Sequence, residues 1–230
     1  MSNEFRTPQS ANEAILQNIL GADNELRAPQ SRIEKLLIEI SEMPSDENVA
    51  VPYLNNTLTE VKKGNLKGVT DIGEGAFYGS SQLENIGIPN SVKSIGAQAF
   101  YNCDRLNNIS LPDGIESIGS SAFYYCKKFD RFIFPRSVQT ISDYVLDDCS
   151  NIKIIELKEN TTRIYQKAFN RCTSLETLIC RAVNPPTLNQ QGLGTINDTF
   201  IILVPAQSVE IYKSTGRWAT LYSDRIFPIE

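Results

Sequence analysis

Four cysteines recur at a spacing of 23 residues, Cys103, Cys126, Cys149 and Cys172, and repeated thiols are the first place to look for chemistry. A zinc site would need paired C-x-x-C spacing or histidine partners, and the chain has neither such a pair nor any histidine. The lack of histidine also removes Ser-His and Cys-His nucleophiles and the commonest general base. Carboxylates remain, but Asp147, Asp148 and Glu159 face unrelated residue types at the equivalent positions of neighbouring repeats, so they read as solvated loop charge. Gly73-Glu74-Gly75 followed by Gly79 misses the dinucleotide spacing. Gly96 and Gly119 recur at the Gly73 position, so these read as turn glycines. No catalytic, metal-ligating or cofactor-binding set is expected, and a binding role is favoured over an enzyme.

The cysteines belong to a larger pattern. Ile72, Ile95, Ile118, Ile141 and Ile164 form one column at the same spacing, and Phe77, Phe100, Phe123, Leu146 and Phe169 form another. Each unit closes on an apolar triplet, such as Leu83/Ile86/Ile88 or Phe129/Phe132/Phe134. A single unit is too small to enclose its own apolar side chains, whereas stacked units turn every column into a continuous internal ladder. The expected fold is a β-rich repeat solenoid of 23-residue coils. Equivalent cysteines on adjacent coils would have Cα atoms roughly 4.8 Å apart, within disulfide range. Reduced, buried thiols acting as small hydrophobes are the expectation.

Alternation along the strand places Ile86 and Ile88 inward and Asn85 and Gly87 outward. Pro89, Pro112 and Pro135 end their strands, because proline cannot donate to the ladder. Two outward rows follow: Asn85, Asn108, Arg131, Ile154 and Thr177, then Gly87, Ser110, Ile133, Glu156 and Ile179. These ten positions are the expected partner-binding face, since stacked strands offer a broad surface on the most rigid part of such a fold. Ile133, Ile154 and Ile179 read either as a protein-contact patch or as a surface covered by a neighbouring subunit or the N-terminal segment.

Residues 1–41 carry a shorter duplication. Ser10 with Glu13, and Ser31 with Glu34, each form a Ser-x-x-Glu capping box that starts a helix. The first helix shows Ile15, Leu16, Ile19 and Leu20; the second shows Ile33, Leu36, Leu37 and Ile40, one apolar face at helical spacing. Isolated helices this short are marginal in water, so they must dock. Either they pack on each other or over the open end of the solenoid, or they anchor the chain to a separate protein. Residues 42–57 read as a proline-broken linker, 58–182 as the solenoid with an irregular first coil, and 183–230 as a C-terminal cap. In that cap Phe200 to Val204 should form a strand and Val209 to Trp218 a helix. Trp218, Leu221, Tyr222 and Ile226 should act as a lid.

A net charge of −5 argues against nucleic acid, which requires basic clusters. No stretch approaches the roughly 20 apolar residues of a membrane span, so membrane insertion is not expected.

The unit from Val92 to Pro112, with Ile95-Gly96, Ala99-Phe100, Cys103, Leu106, Ile109 and Leu111 in its columns, closely resembles the BspA-like class of bacterial leucine-rich repeats. The tail from Val204-Pro205 through Tyr212-Lys213 to Gly216-Arg217-Trp218 resembles the closing segment of that family. The resemblance covers about residues 66–230. It implies a leucine-rich-repeat-type right-handed parallel-β stack and a role in adhesion or recognition. The Asn12 to Asn24 stretch resembles N-terminal segments of phage and prophage structural proteins. Together these imply a non-enzymatic virion surface protein, a head fibre, decoration or tail-associated protein. It would be anchored to a capsid or other virion protein by its helices and would bind host surface protein or glycan through the repeats. The alternatives are a bacterial cell-surface adhesin of the same class lacking its export signal, or an intracellular scaffold. Oligomeric state is open, a homo-oligomer being one option.

Overall fold

The computed structural model describes residues 60–61, 66, 69–189 and 191–230. The two capped helices, their apolar faces and the linker lie outside the described residues, as does most of the irregular first coil.

The described chain is a stack of coils with three sides. Along the first side run β1 (Glu60–Val61), β3 (Asn85–Ile86), β6 (Arg131–Ile133), β8 (Ile154–Leu157), β10 (Thr177–Cys180), β12 (Ile201–Val204) and β13 (Ile226–Pro228). The return side carries β2 (Asp71–Ile72), β4 (Ser94–Ile95), β5 (Ser117–Ile118), β7 (Thr140–Ile141), β9 (Arg163–Ile164) and β11 (Thr187–Leu188). Every pairing is parallel, and Ile72 aligns with Ile95, Ile95 with Ile118, and Ile141 with Ile164. All five leading isoleucines are buried, as are the aromatic and alanine columns. Burying one such side chain contributes about 1.5–3 kcal/mol, so the columns are what hold coil to coil.

The third side is the Ala-Phe corner, whose backbone holds residues of many types in left-handed turns. Gly75, Gln98, Ser121, Tyr144 and Lys167 take positive φ, and so do Gly79, Asn102, Tyr125, Asp148 and Arg171. Each of these ten residues donates its N–H to a carbonyl of the next coil, for example Gln98 to Ser120 at 2.9 Å and Asn102 to Tyr124 at 2.8 Å. Left-handed backbone costs a non-glycine residue about 1 kcal/mol or more, and the bond between coils offsets it.

The cysteine column has a specific task. Cys103, Cys126, Cys149 and Cys172 each donate Sγ–H to the carbonyl of Phe77, Phe100, Phe123 or Leu146 on the previous coil, at 3.1 to 3.3 Å. All five cysteines are free and buried. The thiols therefore fill volume and satisfy a carbonyl, which is more than the small-hydrophobe reading assigns them. Ser80 opens the same column, also buried. Beneath them Phe77, Phe100 and Phe123 stack with ring centroids 5.1 and 5.2 Å apart.

The two strand sides are interrupted, where the repeat pattern implies continuity. Asn108 lies outside any strand, and its side-chain oxygen accepts the amides of Asp130 and Arg131 that a neighbouring backbone would otherwise take. Sheet pairing on that side accordingly restarts at β6. On the return side Gly96, Gly119 and Tyr165 donate their N–H to Ile72, Ile95 and Ile141, but at Ser142 the hydroxyl takes the Ile118 carbonyl instead. There the β2-β4-β5 sheet ends and β7-β9-β11 begins.

Gly96 and Gly119 are needed for close approach rather than for turning. A Cβ on Gly96 would sit 2.5 Å from the Glu74 nitrogen, and one on Gly119 2.4 Å from the Ala97 nitrogen. Their φ values are ordinary, which corrects the turn reading.

Past residue 182 the stack runs on for one more coil at an offset of 24 residues: Leu188 aligns with Ile164 and Ile201 with Thr177. The expected single helix is two, Val209–Ser214 and Gly216–Tyr222, broken at extended Thr215, after which Gly216 takes φ +48°. They close the stack. Tyr212 donates its hydroxyl to the Ala182 carbonyl at 2.9 Å, and Trp218 donates Nε1–H to the Pro186 carbonyl at 2.7 Å. Tyr212 and Trp218 pack edge to face, 5.2 Å apart. Leu221 does not join the lid. It is 52% exposed at the mouth of a cleft of about 400 Å³ that Lys167 and Arg217 also line.

Candidate binding face

The five-stranded sheet β6-β8-β10-β12-β13 brings six of the ten expected face residues together. Arg131, Ile154 and Thr177 share one row, which Ile201 extends. Ile133, Glu156 and Ile179 share the next, extended by Leu203 and Phe227. Ile133, Ile201 and Phe227 are large apolar side chains left exposed. The other four positions fall outside this sheet. Asn85 pairs with Glu60, Gly87 follows that short strand, and Asn108 and Ser110 are in no strand. Asn108 is committed to the amides of the next coil, so its role is structural.

Glu156 departs from the outward reading. It is only 3% exposed, because three cations close over it. Its Oε1 accepts from Lys158 Nζ at 2.6 Å and Arg181 Nε at 2.7 Å, and its Oε2 from Arg131 at 3.0 Å. Burial by itself pushes the carboxyl up, but the hydrogen bonds and charges of Lys158 and Arg181 outweigh it and hold Glu156 at about 2. Lys158 and Arg181 escaped the outward-row reading for a simple reason. They stand at the repeat position held by Pro89, Pro112 and Pro135, one place beyond the expected strand end. Without proline the strands run on to four residues, as in β8 and β10, and the replacing side chains reach back to Glu156. The signal was the break in the proline column.

The corner carries a second group that the outward rows do not include. Tyr78, Tyr101 and Tyr124 stack face to face, 4.8 and 4.5 Å apart. Arg171 reaches back two coils to donate to the Tyr124 hydroxyl at 2.7 Å, and its Nε lies 3.2 Å from Asp147 and 3.6 Å from Asp148. Asp147 is buried and accepts from Asn170 Nδ2 at 2.9 Å. Burial raises its carboxyl above the ordinary range, only partly offset by Asn170 and Arg171. It is thus not solvated loop charge. Glu159 is exposed and pairs with Arg136 at 3.8 Å. Stacking consumes both faces of Tyr101 and one face of Tyr78, so the column offers chiefly edges and hydroxyls.

Among the described residues no helix is long and apolar enough to cross a membrane, and no group of His, Cys, Asp or Glu side chains is arranged to hold a metal.

Parallel coils, inward ladders and one open strand face define a leucine-rich-repeat solenoid. The family model for the BspA type leucine rich repeat region matches residues 57–184 in six copies, and the chain belongs to that family. Among solved structures it is similar to the leucine rich repeat protein of T. pallidum (TpLRR), at 31% identity and TM-score 0.50, over 53% of this chain and 58% of that one. It is also similar in fold to the pneumococcal vaccine antigen PcpA, at 20% identity and TM-score 0.63, over 82% of this chain and 43% of that one. The chain thus spans about half the length of these two proteins. No curated protein matches it.

Proposed function

We infer that this chain is a bacterial cell-surface binding protein of adhesin type, holding a protein partner on the sheet formed by β6, β8, β10, β12 and β13. One observation carries the reading: exposed Ile133, Ile201 and Phe227 line up with Arg131 on a single backbone-bonded face. Aligned apolar and arginine side chains rimmed by polar groups are the composition of protein contact surfaces. Membership of the BspA type family and the fold shared with a vaccine antigen support the surface placement.

The virion reading depends on the helices expected from the sequence of residues 1–41, upstream of the matched family region. Mass spectrometry of purified particles tests it separately.

To test the surface reading, the full chain is passed over a panel of immobilised extracellular-matrix and cell-surface proteins by surface plasmon resonance. Saturable binding to at least one, lost in Ile154→Lys and retained in Tyr101→Ala, is the expected result. Binding that survives Ile154→Lys would place the contact elsewhere.

A further inference from the structure

We propose that the Arg131, Lys158, Arg181 and Glu156 cluster is a carboxylate-recognition subsite, and that the segment docking on the strand face is an acidic stretch of protein chain whose Asp or Glu lies beside apolar residues. This rests on the strand face being the binding surface and adds the chemistry of what it binds.

Three cations on one carboxylate leave two positive charges in excess, in a chain whose overall charge is −5. Among the neighbouring charges Lys153 pairs with Glu176 and Arg136 with Glu159, and the Asp130 carboxylate next to Arg131 is hydrogen-bonded to Asn108. Arg131 and Arg181 keep 48% and 38% of their side-chain surface open to solvent while each holds Glu156. A guanidinium carries five N–H donors in a fixed fork, so each can hold the buried carboxylate and still present donors outward. Glu156 acts as an internal counter-ion: it gathers both forks at one place, and its negative charge competes with an incoming carboxylate for their donors.

The surroundings select a protein segment over a glycan. Ile133 and Ile179 flank Glu156 in its own row, and Ile154 flanks Arg131. These are aliphatic, and the exposed aromatic of that row, Phe227, lies three strands away on β13. An acidic residue between apolar neighbours meets the guanidiniums and the isoleucines together.

The test uses the full chain and an unbiased random peptide library. Peptides recovered on the wild type are remeasured by fluorescence anisotropy, with Ile154→Lys marking those that use the strand face. The proposal expects face-mapped peptides to carry Asp or Glu next to apolar residues. Replacing those acids by Asn or Gln should weaken binding at least tenfold, and higher salt should weaken it too. Glu156→Gln should bind the acidic peptides about tenfold tighter, because the competing internal carboxylate is gone. This gain is one that a purely structural Glu156 would not produce. Gln keeps the shape of Glu and an amide oxygen that can still accept from Lys158 and Arg181. Face-mapped peptides without acids, or no gain in Glu156→Gln, overturn the proposal while leaving the face intact as a binding surface. Peptides indifferent to Ile154→Lys, or no peptides at all, overturn both. Displacement of the peptides by heparin, with no acid dependence among them, would assign the cations to a sulfated glycan.

Discussion

Arg181 Nε donates to Glu156 Oε1 at 2.7 Å across neighbouring strands, joining a residue of the expected binding row to one from the broken proline column. The pair is a stability device with a defined pH window. Glu156 is nearly buried and its carboxyl is held at about 2, below its ordinary 4.5. A depressed carboxylate contributes stability that is fully present above the unfolded value and is lost as pH falls through the folded one. The shift corresponds to roughly 3 kcal/mol. Urea unfolding at steps from pH 5 to 2 should show wild type losing stability, relative to Glu156→Gln, by about that order. A constant difference between the two over this range would contradict the clasp.

The thiol column should behave as buried donors. Burial raises Cys103 to about 12 and Cys180 to about 11, and pushes Cys126, Cys149 and Cys172 up as well. Thiol reagents at pH 8 should label none of the five until denaturant is added, because the thiolate is the reactive form.

The same column separates donor from volume. Cys149→Ser keeps a donor for the Phe123 carbonyl, as Ser80 shows the column accepts a hydroxyl, and should cost about 1 kcal/mol or less. Cys149→Val removes the donor and leaves that carbonyl buried, with an expected cost of about 1–3 kcal/mol in urea melts. Equal losses would mean that only volume matters.

Two glycines in one column should respond oppositely. Nothing lies within 4 Å of a Cβ on Gly73, whereas one on Gly96 meets backbone of the previous coil. Gly73→Ala should fall within about 0.5 kcal/mol of wild type. Gly96→Ala should cost about 2 kcal/mol or more, since backbone must shift to admit it. Thermal unfolding of both variants decides this.

A buried hydroxyl helps tie the cap to the stack. Tyr212 donates to the Ala182 carbonyl and lies 3.2 Å from the Cys180 sulfur, wholly buried. Tyr212→Phe should lower stability by about 1–3 kcal/mol through the orphaned carbonyl, measured by urea unfolding.

The columns were legible in sequence because burial at a fixed period leaves the same residue type at the same place: Ile72 to Ile164 read directly as a buried spine. What escaped were the exceptions within columns. Asn108 and Ser142 break ladders because a side chain supplies a partner that backbone supplies elsewhere, and alternation carries no trace of that exchange. Glu156 sits at an outward position by parity, yet is shielded by cations whose origin lies beyond the expected strand ends. The added coil at Thr187–Leu188 and Ile201–Val204 was hidden by a one-residue change of period, from 23 to 24.

The central claim is that a partner is held on the sheet around Glu156 and not at the tyrosine corner. Its most direct test places a photo-cross-linking amino acid at Thr177 in one preparation and at Tyr101 in another, each bound to the same surface-protein partner. The account predicts a cross-linked complex from position 177 alone. A cross-link from position 101 with none from 177 would contradict it.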